Sequence, residues 1–316
     1  MAPVDRSSGQ RYPPPMFVDL ATLMQIQSLE LRARFLIDGF LSGLHRSPAH
    51  GFSVEFTEYR PYVPGDDLRY LDWHLLARSD RYYIKQFEDE TNLSCSLLLD
   101  NSRSMSFGSV GYSKADYGKT LAGTLACFLT RQRDGVGLFR ISAGLDESIP
   151  PRFRPGHLHR VLHGLECPPE GTSSGLLPAL EEVAPRLKRR GLLVIISDLL
   201  MPLEQWETRL AELKATGSDI VLFQILDPAE RELSFDQSAL FVDAETGQEL
   251  YIDPEMARGT YRQRLEEHLH SIRQTCERQG VFWQQLNTTD PLEQVLFDFL
   301  KIRTRLGRVR HSSRQY

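Results

Sequence analysis

From Leu93 onward, short apolar runs alternate with stretches of helical spacing, and several of the runs are unbroken by polar residues: "SCSLLLD" (94–100), "GVGLFRI" (135–141), "GLLVIISD" (191–198) and "DIVLFQIL" (219–226), with "GVFWQQL" (280–286) after them. A strand apolar on both faces must be covered on both faces. Repeated strand and helix then imply an α/β fold, an open and mostly parallel sheet with helices on both sides. The helical stretches supply the cover. Ser113 with Asp116 forms a capping signal ahead of Leu121, Leu125, Phe128 and Leu129 on one face; Leu265, Leu269, Ile272 and Cys276 mark a long helix, and Leu292, Val295, Leu296 and Phe299 a closing one. "ALFVDAETGQELYID" reads as a peripheral hairpin around Thr246 and Gly247.

The N-terminal third differs. Residues 1–15 are rich in Pro, Ser and Gly and read as a disordered tail, a partly helical stretch follows with Leu20, Leu23 and Met24 along one face, and residues 51–79 are dense in Gly, Pro and aromatic side chains. The expected division is therefore a tail (1–15), an N-terminal mixed α/β segment (16–92), an α/β domain (93–303) and a basic tail (304–316). With 316 residues, 41% apolar and 25% charged, the chain belongs to the ordinary globular class, and a net charge of -5 gives no global attraction to nucleic acid. The four cysteines fall at no metal-ligand or redox spacing, which suits reduced thiols, and neither an apolar signal core nor a run of about 20 apolar residues is present, so a cytoplasmic protein is expected.

Right-handed crossovers bring the C-terminal ends of parallel strands to one rim, where such sheets bind ligands. Two runs end there in aspartate, Asp100 and Asp198. In "LLLDNSRSMSFG" the chain leaves the first strand with hydroxyls at the second and fourth positions beyond the carboxylate, and alternate residues of an extended segment point the same way, so Asp100, Ser102 and Ser104 can converge. Thr172, in "PPEGTSSG", adds another oxygen to the same rim. A set of hard oxygens suits Mg²⁺ or Mn²⁺ and is poor for Zn²⁺.

In that order, Asp100, Ser102, Ser104, Thr172 and Asp198 resemble the metal-ion-dependent adhesion site (MIDAS) of von Willebrand factor type A domains, over roughly residues 93–290. One departure is Leu199, where many such domains carry glycine after the last aspartate. The resemblance implies a Rossmann-like sheet and a cation held directly by hydroxyls and through water by carboxylates. An open position would remain for an acidic side chain of a partner protein.

Ahead of this motif lies "GFSVEFTEYRPYVPGDDLRYLDWHLLARSDRYYIKQFEDE", in which Asp66 and Asp67 sit beside Arg60, Arg69 and Arg78 and read as an arginine-carboxylate network. Glu55, Phe56, Arg60, Tyr62, Pro64, Gly65, Asp66, Asp67, Arg69, Asp72, Trp73, Ala77 and Arg78 resemble the domain of unknown function 58 family. That resemblance implies a bacterial accessory or chaperone-like adaptor of a MoxR-type AAA+ ATPase, acting without catalysis in protein complex assembly or maturation. No nucleic-acid partner and no membrane span are expected.

The remaining signals are weaker. "GKT" at 118–120 lacks the glycine spacing of a phosphate loop and falls inside a helix, His159 and His163 lie one helical turn apart with no third ligand, and the basic C-terminal stretch reads as solvated. A Mg²⁺-dependent phosphatase or hydrolase using Asp100 is the alternative; it would need an acid/base carboxylate where Ser102 stands.

Overall fold

The computed structural model describes residues 19–46, 58–61, 83–86, 93–168, 175–235, 237–243 and 247–312. In chain order these form α1 (Leu20–Met24), α2 (Leu29–Arg46), β1 (Glu58–Pro61), β2 (Tyr83–Gln86), β3 (Ser94–Asp100), α3 (Lys114–Arg131), β4 (Gly135–Ile141), β5 (Leu145–Arg152), α4 (His157–Leu165), α5 (Leu176–Val183), β6 (Leu192–Ser197), α6 (Trp206–Ala215), β7 (Asp219–Leu226), α7 (Pro228–Glu232), β8 (Ala239–Val242), β9 (Glu249–Ile252), α8 (Pro254–Gln279), β10 (Phe282–Asn287) and α9 (Leu292–Ser312). The expected tail 1–15, the arginine-carboxylate segment from Glu55 to Arg78 and Thr172 lie outside the described residues, except that Arg60 lies on the backbone of β1.

Six strands make the central sheet in the order β10-β7-β6-β3-β4-β5, parallel throughout except that β5 runs antiparallel to β4. The unbroken apolar runs are its interior strands. Successive residues of β3 face opposite sides: Leu97 and Leu99 join Leu121, Leu125 and Phe299 in one core, while Leu98 joins Leu180, Trp206, Ile272 and Cys276 in the other. Each buried leucine contributes about 1.5–3 kcal/mol, so both layers are needed to hold the sheet. The fold is the expected α/β one, a Rossmann-like, mostly parallel sheet with helices on both faces.

α3 begins with the expected capping box, in which Ser113 Oγ accepts from Asp116 N–H and Asp116 Oδ2 accepts from Ser113 N–H. Fifteen of its residues are buried, far more than one amphipathic face provides, because α2 lies across its outer side. Leu29, Leu36 and Ile37 enter the same core, Phe40 meets Phe128 edge to face at 6.4 Å, and Arg131 pairs with Asp38 at 2.6 Å. The N-terminal helices are thus packed into the α/β layer.

β5 was not foreseen. "LDESIPPR" alternates polar residues with apolar ones and carries Pro150 and Pro151, a composition confined to sheet edges, and its pairing with β4 shifts register twice. β8 and β9 form the expected hairpin. α9 runs to Ser312, through the first part of the stretch expected as a basic tail. No helix among the described residues is long and apolar enough to cross a membrane.

Because the chain steps from β3 to β4 on one side and to β6 on the other, the sheet reverses its winding between β3 and β6. The ends of neighbouring helices part there and leave a crevice at the C-terminal rim.

Candidate metal centre

Asp100 ends β3 and Asp198 directly follows β6, so parallel pairing of the two strands brings both carboxylates to the crevice. Both are almost wholly buried. Asp100 Oδ1 accepts from Ser102 N–H at 2.9 Å, which turns the chain so that Ser102 Oγ and Ser104 Oγ lie 3.0 Å apart and share a hydrogen bond. Asp100 Oδ2 accepts from Ser197 Oγ at 2.5 Å. Asp198 Oδ1 accepts from Leu200 N–H at 3.3 Å, and its carbonyl accepts from Gln224 Nε2 at 2.9 Å, which ties the third loop to β7.

Asp100, Ser102, Ser197 and Asp198, with Leu199, Leu200 and Met201, line a cavity of about 10 Å³. That is room for one water-sized occupant. Burial first, and Asp198 second, push the Asp100 carboxyl up to about 6, against the opposing hydrogen bonds from Ser197 and Ser102. Two carboxylates at one small cavity are a setting that a cation would relieve. Neighbouring oxygens around an octahedral Mg²⁺ with bonds of ~2.1 Å lie about 3.0 Å apart, the spacing of the two serine hydroxyls. Among the described residues no three His, Cys, Asp or Glu side chains group as metal ligands, so hydroxyls would have to complete the set. The donors present fit a small hard cation.

The structure brings Asp100, Ser102, Ser104 and Asp198 together; of Thr172 only the flanks are placed. Asn101, itself buried, donates from Nδ2 to the Pro168 carbonyl at 2.6 Å, and Gly175 N–H donates to the Ser142 carbonyl at 3.0 Å. The loop between them therefore starts beside Asp100 and ends beside the β4–β5 turn.

Leu199 explains its own oddity. Its φ is +52°, a left-handed conformation in which glycine is the usual occupant, and its side chain is 1% exposed in the core below. Ser197 Oγ accepts its N–H at 3.0 Å, and its carbonyl accepts from His268 Nε2 at 2.7 Å. Leu199→Gly should relieve about 1–2 kcal/mol of backbone strain but lose about 2–5 kcal/mol of packing, a net fall of roughly 2 kcal/mol in chemical denaturation. Stability at or above that of the wild type would show that the side chain does not pack.

Sequence reasoning missed three residues here. Ser197 is the one hydroxyl in an otherwise apolar strand and stands beside its terminal carboxylate, which is the signal that marks it. Asn101 stood inside the motif but off its alternation. Lys114 occupies the same face of α3 as Gly118, Leu121 and Leu125, and a charge on an apolar face was the clue. Its Nζ donates to Asp198 Oδ2 at 2.8 Å and to Glu230 Oε1 at 2.6 Å. Burial would push this ammonium down, but Asp198 and Glu230 outweigh it and hold the group above the usual lysine range. The discounted residues behave as expected: Lys119 lies within α3, and the His159 and His163 side chains are largely exposed on α4.

The chain matches the family model described as "Protein of unknown function DUF58" over residues 58–272. The uncharacterized protein Rv1480 of Mycobacterium tuberculosis is 30% identical over 234 residues, which cover 72% of this chain and 73% of that protein. Among solved structures, the conserved hypothetical protein BatB from Bacteroides thetaiotaomicron aligns with a TM-score of 0.47 and 11% identity over 68% of this chain and 99% of its own. An aerotolerance-related membrane protein from Bacteroides fragilis aligns with a TM-score of 0.44 and 14% identity over 65% and 97%. At those scores the strand order, and not the neighbours, carries the fold. Since the family model spans well over half of its length, the chain belongs to the family of proteins of unknown function DUF58.

Proposed function

We propose that this protein is a non-catalytic binding module whose rim, completed by Mg²⁺ or Mn²⁺, captures an acidic side chain of a partner protein. The observation that supports this reading is the convergence of Asp100, Ser102 and Asp198 on one small cavity at the switch point of the sheet, with the Ser104 hydroxyl hydrogen-bonded to that of Ser102. A bound divalent cation would supply a positive, electrophilic point at the rim. The residues around it orient and select: Ser102 and Ser104 present hydroxyl oxygens, Asp100 is fixed by Ser102 N–H and Ser197, and Thr172 is the proposed contribution of the second loop. Binding is favoured over turnover because Ser102 stands where a phosphatase of this type would need its acid/base carboxylate, and Ser102 Oγ is engaged with Ser104.

The partner is proposed to be a MoxR-type AAA+ ATPase or a client that the pair assembles or matures in the bacterial cytoplasm. Capture of that ATPase from native lysate should require Mg²⁺, fail in EDTA and weaken on the order of a hundredfold in Thr172→Ala, which corresponds to about 2.7 kcal/mol. Retention of the partner in EDTA would remove the cation from the mechanism. Metal-dependent phosphate release that is lost in Asp100→Asn would favour the hydrolase instead.

A further inference from the structure

Lys114 is 0% exposed, yet its ammonium does not stabilise an exposed surface or a helix end; it lies between Asp198 of the rim and Glu230 of α7. Glu230 is itself fixed, since its other carboxylate oxygen accepts from Asp227 N–H at 3.2 Å in the capping box of α7. Asp227 in turn accepts from Ser109 N–H at 3.0 Å and from Ser109 Oγ, so the loop that follows the Asp-x-Ser-x-Ser motif and the helix that holds Lys114 belong to one polar network that runs from the buried Lys114 out to the exposed Ser109. Desolvating an ammonium costs several kcal/mol, and one carboxylate partner would already neutralise it. Here there are two, and one of them is a candidate metal ligand.

Building on the metal-centre reading, we propose that Lys114 is a positioning residue of that centre: it holds Asp198 by Oδ2 while Leu200 N–H holds Oδ1, and it offsets part of the rim's negative charge, so that the cation is held weakly enough to be exchanged. Glu230 tunes the same effect from the far side by drawing on the ammonium's charge. The two residues therefore act on cation affinity with opposite signs, although the loss of either weakens the same polar network. A lysine that only tethered the fold would not produce that pattern.

The test is Mn²⁺ titration of the full chain by calorimetry, with thermal melts alongside, for the wild type, Lys114→Met and Glu230→Gln. Lys114→Met should bind Mn²⁺ roughly tenfold more tightly while melting lower, since a positive charge within a few ångströms of the site is gone. Glu230→Gln should bind roughly threefold more weakly, since the ammonium is then less offset. Tighter binding by a less stable protein is an outcome that general loss of order cannot give. If Lys114→Met does not fold, Glu230→Gln decides alone: weaker binding supports the role, and unchanged or tighter binding overturns it. A wild type that takes up Mn²⁺ with both variants unchanged overturns the role of Lys114 and leaves the metal centre standing. A wild type that takes up none overturns both.

Discussion

Asp100→Ala should lose the entire divalent-cation-linked gain in stability. At a hundredfold excess of Mg²⁺ or Mn²⁺ over its dissociation constant, a single site adds ~2.7 kcal/mol to the wild type. The variant should show no added stabilisation, so the two thermal melts separate on adding cation and draw together again in EDTA. Asp100 is the residue to remove because it joins the three parts of the site: it ends β3, it orients Ser102 through a hydrogen bond to the backbone, and it takes the Ser197 hydroxyl from the neighbouring strand. Matching cation-dependent shifts in wild type and variant would remove the metal reading.

Gly175→Ala should cost about 3 kcal/mol of stability, at the upper end of what overpacking exacts, and should weaken cation binding as well. A Cβ at this position would lie 2.2 Å from the carbonyl carbon of Ala143 and 2.5 Å from the amide nitrogen of Gly144, and both are backbone atoms that cannot swing aside. Either the β4–β5 turn or the start of α5 must move, and with it the end of the loop that carries Thr172. Gly144→Ala is the matched control, since a Cβ there meets nothing within 4 Å and its melt should stay within about 0.5 kcal/mol of the wild type. Similar melts for the two variants would mean that the close approach at Gly175 is not a constraint.

The parts of this molecule that could be read from sequence are those fixed by local pattern. Unbroken apolar runs give β3, β6 and β7, and the alternation of Asp100, Ser102 and Ser104 gives their convergence, because both depend on backbone geometry within a few residues. β5 was hidden because its edge position, and not its own residues, makes its prolines acceptable. Lys114 was hidden for the opposite reason. Its partners Asp198 and Glu230 lie 84 and 116 residues away, and a lone lysine on an apolar helix face says only that some carboxylate must meet it. Leu199 could be recognised as unusual in sequence, but the left-handed backbone that makes it so becomes visible only when β6 has been placed beside β3.

The two prolines of β5 also bear on how the molecule behaves in a crowded solution. An outermost strand ordinarily presents a row of free amide and carbonyl groups, a template on which a second sheet can grow. On this flank Pro150 and Pro151 have no amide hydrogen, the ladder slips register twice, and Asp146 and Glu147 charge the first half of the same strand. That margin of the sheet is thus a poor seed for strand-to-strand polymerisation, even though the strands behind it are among the most apolar in the chain.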